Sequence, residues 1–181
     1  MLARDIPCVI LAVDPAATSG WALTYVLPHE PHLRTWSHGV AETWQNRSFA
    51  VDQADVIAST IGRPLVVVAE TWPGLRGSAL AGLGAQWGRW LAELERLDVP
   101  ERRIVRVDTG TWRKTVLGIT RQSGDASKRA AMLRARAVLG HDVTADEAEA
   151  LCIGLFGLRS ERVAAALGRR ELKRLGWSEE A

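Results

Sequence analysis

Cysteine is scarce in this 181-residue chain: there are two, Cys8 and Cys152, each inside an apolar run. Two such thiols build no disulfide framework, which fits a reducing cytoplasm, and they read as small core hydrophobes. Long apolar runs are also missing. None approaches the roughly 18 residues of a membrane span. The N-terminal apolar stretch is short, ends in Asp14 and lacks a cleavage signature, so a secretory leader is not expected. Internal repeats and low-complexity linkers are absent. His29 and His32 have no cysteines or acids at metal-ligand spacing and read as polar turn residues.

Excess charge is absent overall, at a net +2, but its distribution is uneven. Between residues 101 and 136 ten basic side chains accompany only Glu101, Asp108 and Asp125, which leaves the remainder of the chain acidic. Such a stretch suits a polyanion surface or a solvated helix face. The length allows one domain with a real core, 1–181, and is short for two.

Apolar runs predict strands over 8–13, 20–27 and 33–41, with Pro28 and Pro31 marking a turn between the last two. A helix is expected at about 45–61. The run Leu65, Val66, Val67, Val68, Ala69 has no alternation, the pattern of a strand covered on both faces. Further helices are expected over 78–97, 126–139 (ended by Gly140), 145–158 and 160–175, with a strand over 103–107. Three leading strands followed by alternating helix and strand predict an α/β fold with a mixed sheet. On helix 78–97, Leu80, Leu83, Trp87, Leu91 and Leu94 form a bulky stripe expected to pack on the sheet. Ala81, Gly84, Gly88 and Ala92 form a small one, open to close approach.

The acids stand out by position. Strand 8–13 runs into Asp14, and strand 65–69 runs into Glu70. If these strands are parallel neighbours, about 4.8 Å apart, both carboxylates open into one crevice. Two close carboxylates repel unless a cation sits between them, and Mg²⁺ favours such a site. In "DVTADEAEALCIGLFG", residues 142–157, Thr144 and Glu147 have capping-box spacing. Asp146 and Glu149 then share a helical face, and Glu147 points roughly 100° away. Acids in a first helical turn also serve the helix dipole.

Taken in order, these stretches resemble the RuvC-type Holliday-junction resolvases, members of the ribonuclease H-like fold. "AVDPAATSGWAL" is similar to that family's first strand, turn and second strand, and "VVVAET" to its fourth. "GSALAGLGAQWGRWL" resembles its small-residue helix, "DTGTWRKTVLG" with "SKRAAML" its basic segment, and "ADEAEALCIG" its last motif. The resemblance spans about 9–158, leaving a helical tail over 159–181. Ala16 stands where the family usually has glycine, Glu149 where it usually has aspartate, and the loop 119–127 is longer.

The resemblance implies a mixed five-stranded sheet flanked by helices and two-metal hydrolysis of DNA phosphodiesters. The implied ligands are Asp14, Glu70, Asp146 and Glu149, holding two Mg²⁺ or Mn²⁺ ions, and the products carry 5′-phosphates. Lys128 is implied at the scissile phosphate, with Arg113, Lys114, Lys128 and Arg129 on the DNA and Trp72 stacking on opened bases. The partners implied are branched or four-way DNA and a second copy of the chain, with no organic cofactor, no membrane and a cytoplasmic setting, bacterial or phage-derived. A ribonuclease H-like nuclease without junction preference and an inert DNA-binding scaffold are the alternatives. A sugar-kinase or actin-like ATPase needs two such domains, for which the chain leaves no room.

Overall fold

A computed structural model describes residues 5–16, 18–27, 30–71, 76–120 and 124–177. The strands β1 (Val9–Asp14), β2 (Ser19–Leu27), β3 (Glu30–Ala41), β4 (Leu65–Thr71) and β5 (Ile104–Asp108) form one sheet in the order β3-β2-β1-β4-β5. β1 pairs antiparallel with β2 and parallel with β4, and β4 parallel with β5. The sheet is therefore mixed, as the element order predicts.

Alternation along the strands sorts the core into two. Ile10, Ala12, Val66, Val68, Val105 and Val107 face one side; Val9, Leu11, Val13, Val67 and Ala69 face the other. The second side is covered by α1 (Trp44–Ile61) through Ala50, Val51, Ala54 and Ala58, and by α2 (Gly77–Arg96) through Trp90 and Leu94. The bulky stripe expected on α2 does not dock as a whole. Leu80 is 48% exposed, and the buried anchors are Trp90 and Leu94. The helix meets the core through its second half, where Trp87 of the stripe also packs against it. Gly82, Gly84 and Gly88 have open space where a side chain would stand.

The first side is covered by α5 (Ala145–Leu158), with α4 (Gly124–Leu139), α6 (Glu161–Leu167) and α7 (Arg169–Arg174) around it. Every residue of α5 from Ala148 to Leu158 is buried, as expected of a helix apolar all round. It lies so close to the sheet that a Cβ on Gly157 would come within 3.0 Å of Val68 Cγ2. At the C-terminal end of α5, the Ile6 amide donates to the Leu158 carbonyl at 2.7 Å, and Arg159 Nε meets Asp5 Oδ1 at 2.6 Å. The single helix expected over 160–175 breaks into α6 and α7 at Gly168, whose φ of +79° no continuing helix allows.

After β5 the chain turns directly into α3 (Thr109–Trp112), which continues as a π-helical turn over Arg113–Leu117. Asp108 caps α3 by accepting from the Thr111 amide at 2.9 Å. No helix among the described residues is long and apolar enough to cross a membrane.

Candidate active site

Asp14 ends β1 directly opposite Gly20 of β2, and the register pairing Val13 with Ala69 sets it level with Glu70 of β4. Both lie in phase with the residues that face α5, so their side chains open toward the start of that helix. Asp14 is 7% exposed and Glu70 4%. The strand-end pairing expected of the sequence is what the sheet delivers.

The helix supplies the rest. Thr144 caps α5: its hydroxyl accepts from the Glu147 amide, and Glu147 Oε2 accepts from the Thr144 amide at 2.9 Å. The other oxygen, Oε1, lies 2.9 Å from His38 Nδ1 on β3, so Glu147 faces the sheet edge. Asp146 and Glu149 instead turn toward Asp14. One carboxylate oxygen each from Asp14, Asp146 and Glu149 lies within 4.8 Å of the other two. The approach is set by Gly20, where a Cβ would come within 1.9 Å of the Asp146 carbonyl oxygen.

Burial and crowding shift the protonation of two acids of the cluster, Asp14 and Glu149. Burial, followed by repulsion from Glu70 and Glu149 and a hydrogen bond shared with Glu70, raises the Asp14 pKa well above the ordinary carboxylate value. Burial likewise raises Glu149, against the opposing pull of Arg113. Burial also acts to raise Glu147, but its hydrogen bonds from Thr144 and His38 outweigh that and leave it lowered. The cluster is thus a set of oxygen donors held closer than their charges favour. An oxygen-only donor set of this kind fits a hard divalent cation, which would relieve the repulsion.

Cations border the cluster. Arg113 Nη2 meets Glu149 Oε1 at 2.6 Å, and its guanidinium lies 5.2 Å from the Trp112 ring. Lys128 Nζ stands 3.6 Å from Asp146 Oδ1 and is half exposed. Lys114 and Arg129 are exposed. Trp72 lies outside the described residues. Arg113 therefore sits against one acid of the cluster. Sequence reasoning missed Thr109, whose hydroxyl donates to Glu70 Oε1, and His38, the partner of Glu147.

No protein-family model matches the sequence, and no curated protein does. Among solved structures, the fold is similar to that of Thermus thermophilus RuvC in complex with a Holliday junction substrate. The TM-score is 0.61 at 18% identity, over 86% of this chain and 95% of that one. A second Thermus thermophilus RuvC structure is similar over 90% of this chain and 96% of its own, with a TM-score of 0.53 and 18% identity. The chain has the RuvC fold, a ribonuclease H-like mixed five-stranded sheet flanked by helices.

Proposed function

We propose that this protein is a divalent-metal-dependent endonuclease of the RuvC type, cutting four-way or otherwise branched DNA by paired nicks. The observation that carries the reading is the convergence of Asp14, Asp146 and Glu149 beside Glu70, at the strand ends of a RuvC fold. Divalent ions bound at such a site supply electrostatic stabilisation to a phosphodiester under attack by water. In this reading the four carboxylates hold two Mg²⁺ or Mn²⁺ ions. Thr109 fixes the rotamer of Glu70, and Arg113 that of Glu149. Lys128, half exposed at the rim, approaches the scissile phosphate, where a fixed cation favours developing charge. The products carry 5′-phosphate and 3′-hydroxyl ends.

The basic segment, with Lys114 and Arg129 exposed, supplies phosphate affinity, and Trp72 a stacking surface. Two copies joined along the open side of α2 would present two sites to a two-fold junction. Two free, buried cysteines agree with work in a reducing cytoplasm. The test sets a labelled four-way junction beside a linear duplex, each with and without Mg²⁺. Paired, symmetric, Mg²⁺-dependent nicks in the junction alone are expected. Equal cutting of both substrates would indicate a nuclease without junction preference, and no cutting of either an inert DNA-binding scaffold.

A further inference from the structure

Asp14, Glu70, Asp146 and Glu149 gather four carboxylates at one end of the sheet, and among the described residues two cations touch them, Arg113 and Lys128. Even with a proton held on Asp14, negative charges outnumber positive ones there. DNA brings more negative charge to the same place. A site in this state repels a phosphate, and the two cations differ in how freely they can answer it.

Lys128 is half exposed, and its Nζ lies 3.6 Å from Asp146 Oδ1, beyond hydrogen-bond range. It can meet a phosphate without giving up a bond. Arg113 cannot. Its Nη2 donates to Glu149 Oε1 at 2.6 Å, deep enough that the carboxylate is almost wholly buried. Its guanidinium also stands 5.2 Å from the ring of Trp112, which is fully buried. Yet this pose leaves Arg113 Nε buried with no hydrogen-bond partner among the described residues. A guanidinium carries five donors in a planar fork that suits two oxygens of one phosphate. Here one donor is committed to a carboxylate and another is unused.

We propose that Arg113 is exchanged between two anions. It holds Glu149 while the site lacks divalent ions, and it passes to a DNA phosphate once an ion takes that carboxylate. A guanidinium and a divalent cation on one carboxylate repel each other, so each weakens the other's hold on Glu149. A phosphate on the open side of the cluster lies beside the guanidinium, so a change of rotamer is enough. Glu149 stays paired at both stages, which avoids leaving a buried charge uncompensated. The consequence is a coupling: ions at the acids raise the affinity for DNA, and DNA raises the affinity for the ions by the same factor. Arg113 thereby ties metal loading to substrate, whereas Lys128 serves DNA in either state. This inference rests on the metal-dependent nuclease reading above.

The test follows the anisotropy of a fluorescein-labelled four-way junction across a salt series, with and without saturating Ca²⁺, an ion of flexible oxygen coordination. Arg113→Gln removes the charge and keeps a donor for Glu149, Arg113→Lys keeps the charge, and melting curves check folding. Without Ca²⁺, Arg113→Gln should bind the junction nearly as tightly as the wild type. With Ca²⁺ it should bind about fivefold or more weakly than the wild type. Its log–log salt slope should then be lower by about 0.9, one phosphate contact. Arg113→Lys should recover most of the difference. In a second arm, Mn²⁺ is titrated calorimetrically without DNA and should bind Arg113→Gln more tightly than the wild type, because the competing cation is gone. A merely structural salt bridge gives the reverse, since Glu149 would lose its rotamer and hold Mn²⁺ less well. An Arg113→Gln defect of equal size with and without Ca²⁺, or a Mn²⁺ affinity that does not rise, would overturn the inference and leave the proposed function standing. A wild type that binds neither ion, or no DNA, would overturn both.

Discussion

Gly20 and Asp146 are in contact across the interface between sheet and helix: a Cβ on Gly20 would stand 1.9 Å from the Asp146 carbonyl oxygen and 2.4 Å from its carbon. Backbone meets backbone there, so nothing flexible can yield. Gly20→Ala must therefore push the start of α5 away from β2, carrying Asp146 and Glu149 with it. Overpacking of this kind costs about 1–3 kcal/mol. The expected result is a modest fall in melting temperature with a disproportionate loss of nicking, measured on the same preparation. Full activity in the alanine variant would mean that α5 does not set the acid cluster.

Asp14→Asn removes one of the charges crowded into the cluster. The metal-free variant should melt higher than the wild type, by a margin on the order of 1 kcal/mol, because a buried repulsion is relieved. It should also lose cleavage and the rise in melting temperature that added Mg²⁺ gives the wild type through linkage. Differential scanning fluorimetry over a Mg²⁺ series reads both effects. A wild type that gains no stability from Mg²⁺ or Mn²⁺ would count against a cation at these acids.

Glu147 and Glu149 are two residues apart and should behave oppositely. Glu147 serves the α5 cap and His38, and glutamine can take over the cap bond. Glu147→Gln should keep near-wild-type turnover and lose a few tenths of a kcal/mol from the helix-dipole contribution. Glu149→Gln should abolish most turnover at saturating DNA and leave Arg113 without its carboxylate. Turnover at fixed Mg²⁺ decides. A dead Glu147→Gln beside an active Glu149→Gln would require the ligand set to be redrawn.

Asp108 holds the turn that presents Thr109 and Arg113. Hydrogen bonds from the Thr111 hydroxyl and amide hold its pKa below the usual carboxylate value. A depressed folded-state pKa contributes stability that is present above the unfolded value, about 3.9, and lost as pH falls through the folded one. The acid limb of a stability–pH curve should therefore be shallower in Asp108→Asn, which cannot titrate. Asp108→Ala should cost about 1 kcal/mol at neutral pH by removing the cap. It should also reduce nicking, since Thr109 and Arg113 follow directly. Urea melts from pH 3 to 7 give the comparison; identical acid limbs would contradict the assignment.

Much of the site was legible because its acids interrupt strong patterns. Asp14 and Glu70 each end an unbroken apolar strand, and parallel pairing of two such strands leaves their ends little choice but to meet. The capping-box spacing of Thr144 and Glu147 fixed the helical phase, and with it the face shared by Asp146 and Glu149. Thr109 left no such mark. A threonine after a strand is ordinary, and only the pairing of β4 with β5 brings its hydroxyl to Glu70. Arg113 was legible as a cation but not in its aim, since the π-helical turn sets its direction. The bulky stripe on α2 misled for a related reason. Helical periodicity identifies an apolar face, but not how much of the helix reaches a neighbour: Trp87 and Leu94 of the stripe meet the core, with Trp90, whereas Leu80 does not.

The anchoring of α5 has a consequence for its length. At one end the helix abuts Gly20; at the other, Ile6 and Asp5 grip Leu158 and Arg159. It behaves as a beam clamped at both supports, so thermal motion can neither tilt nor withdraw it without breaking one of them. Between the clamps the residue count acts as a rotary index. One residue inserted after Cys152 would turn the front of the helix by about 100° relative to its rear. The acids would then point along the sheet edge, and the index would have to return by nearly a full turn, three or four residues, before they faced Asp14 again.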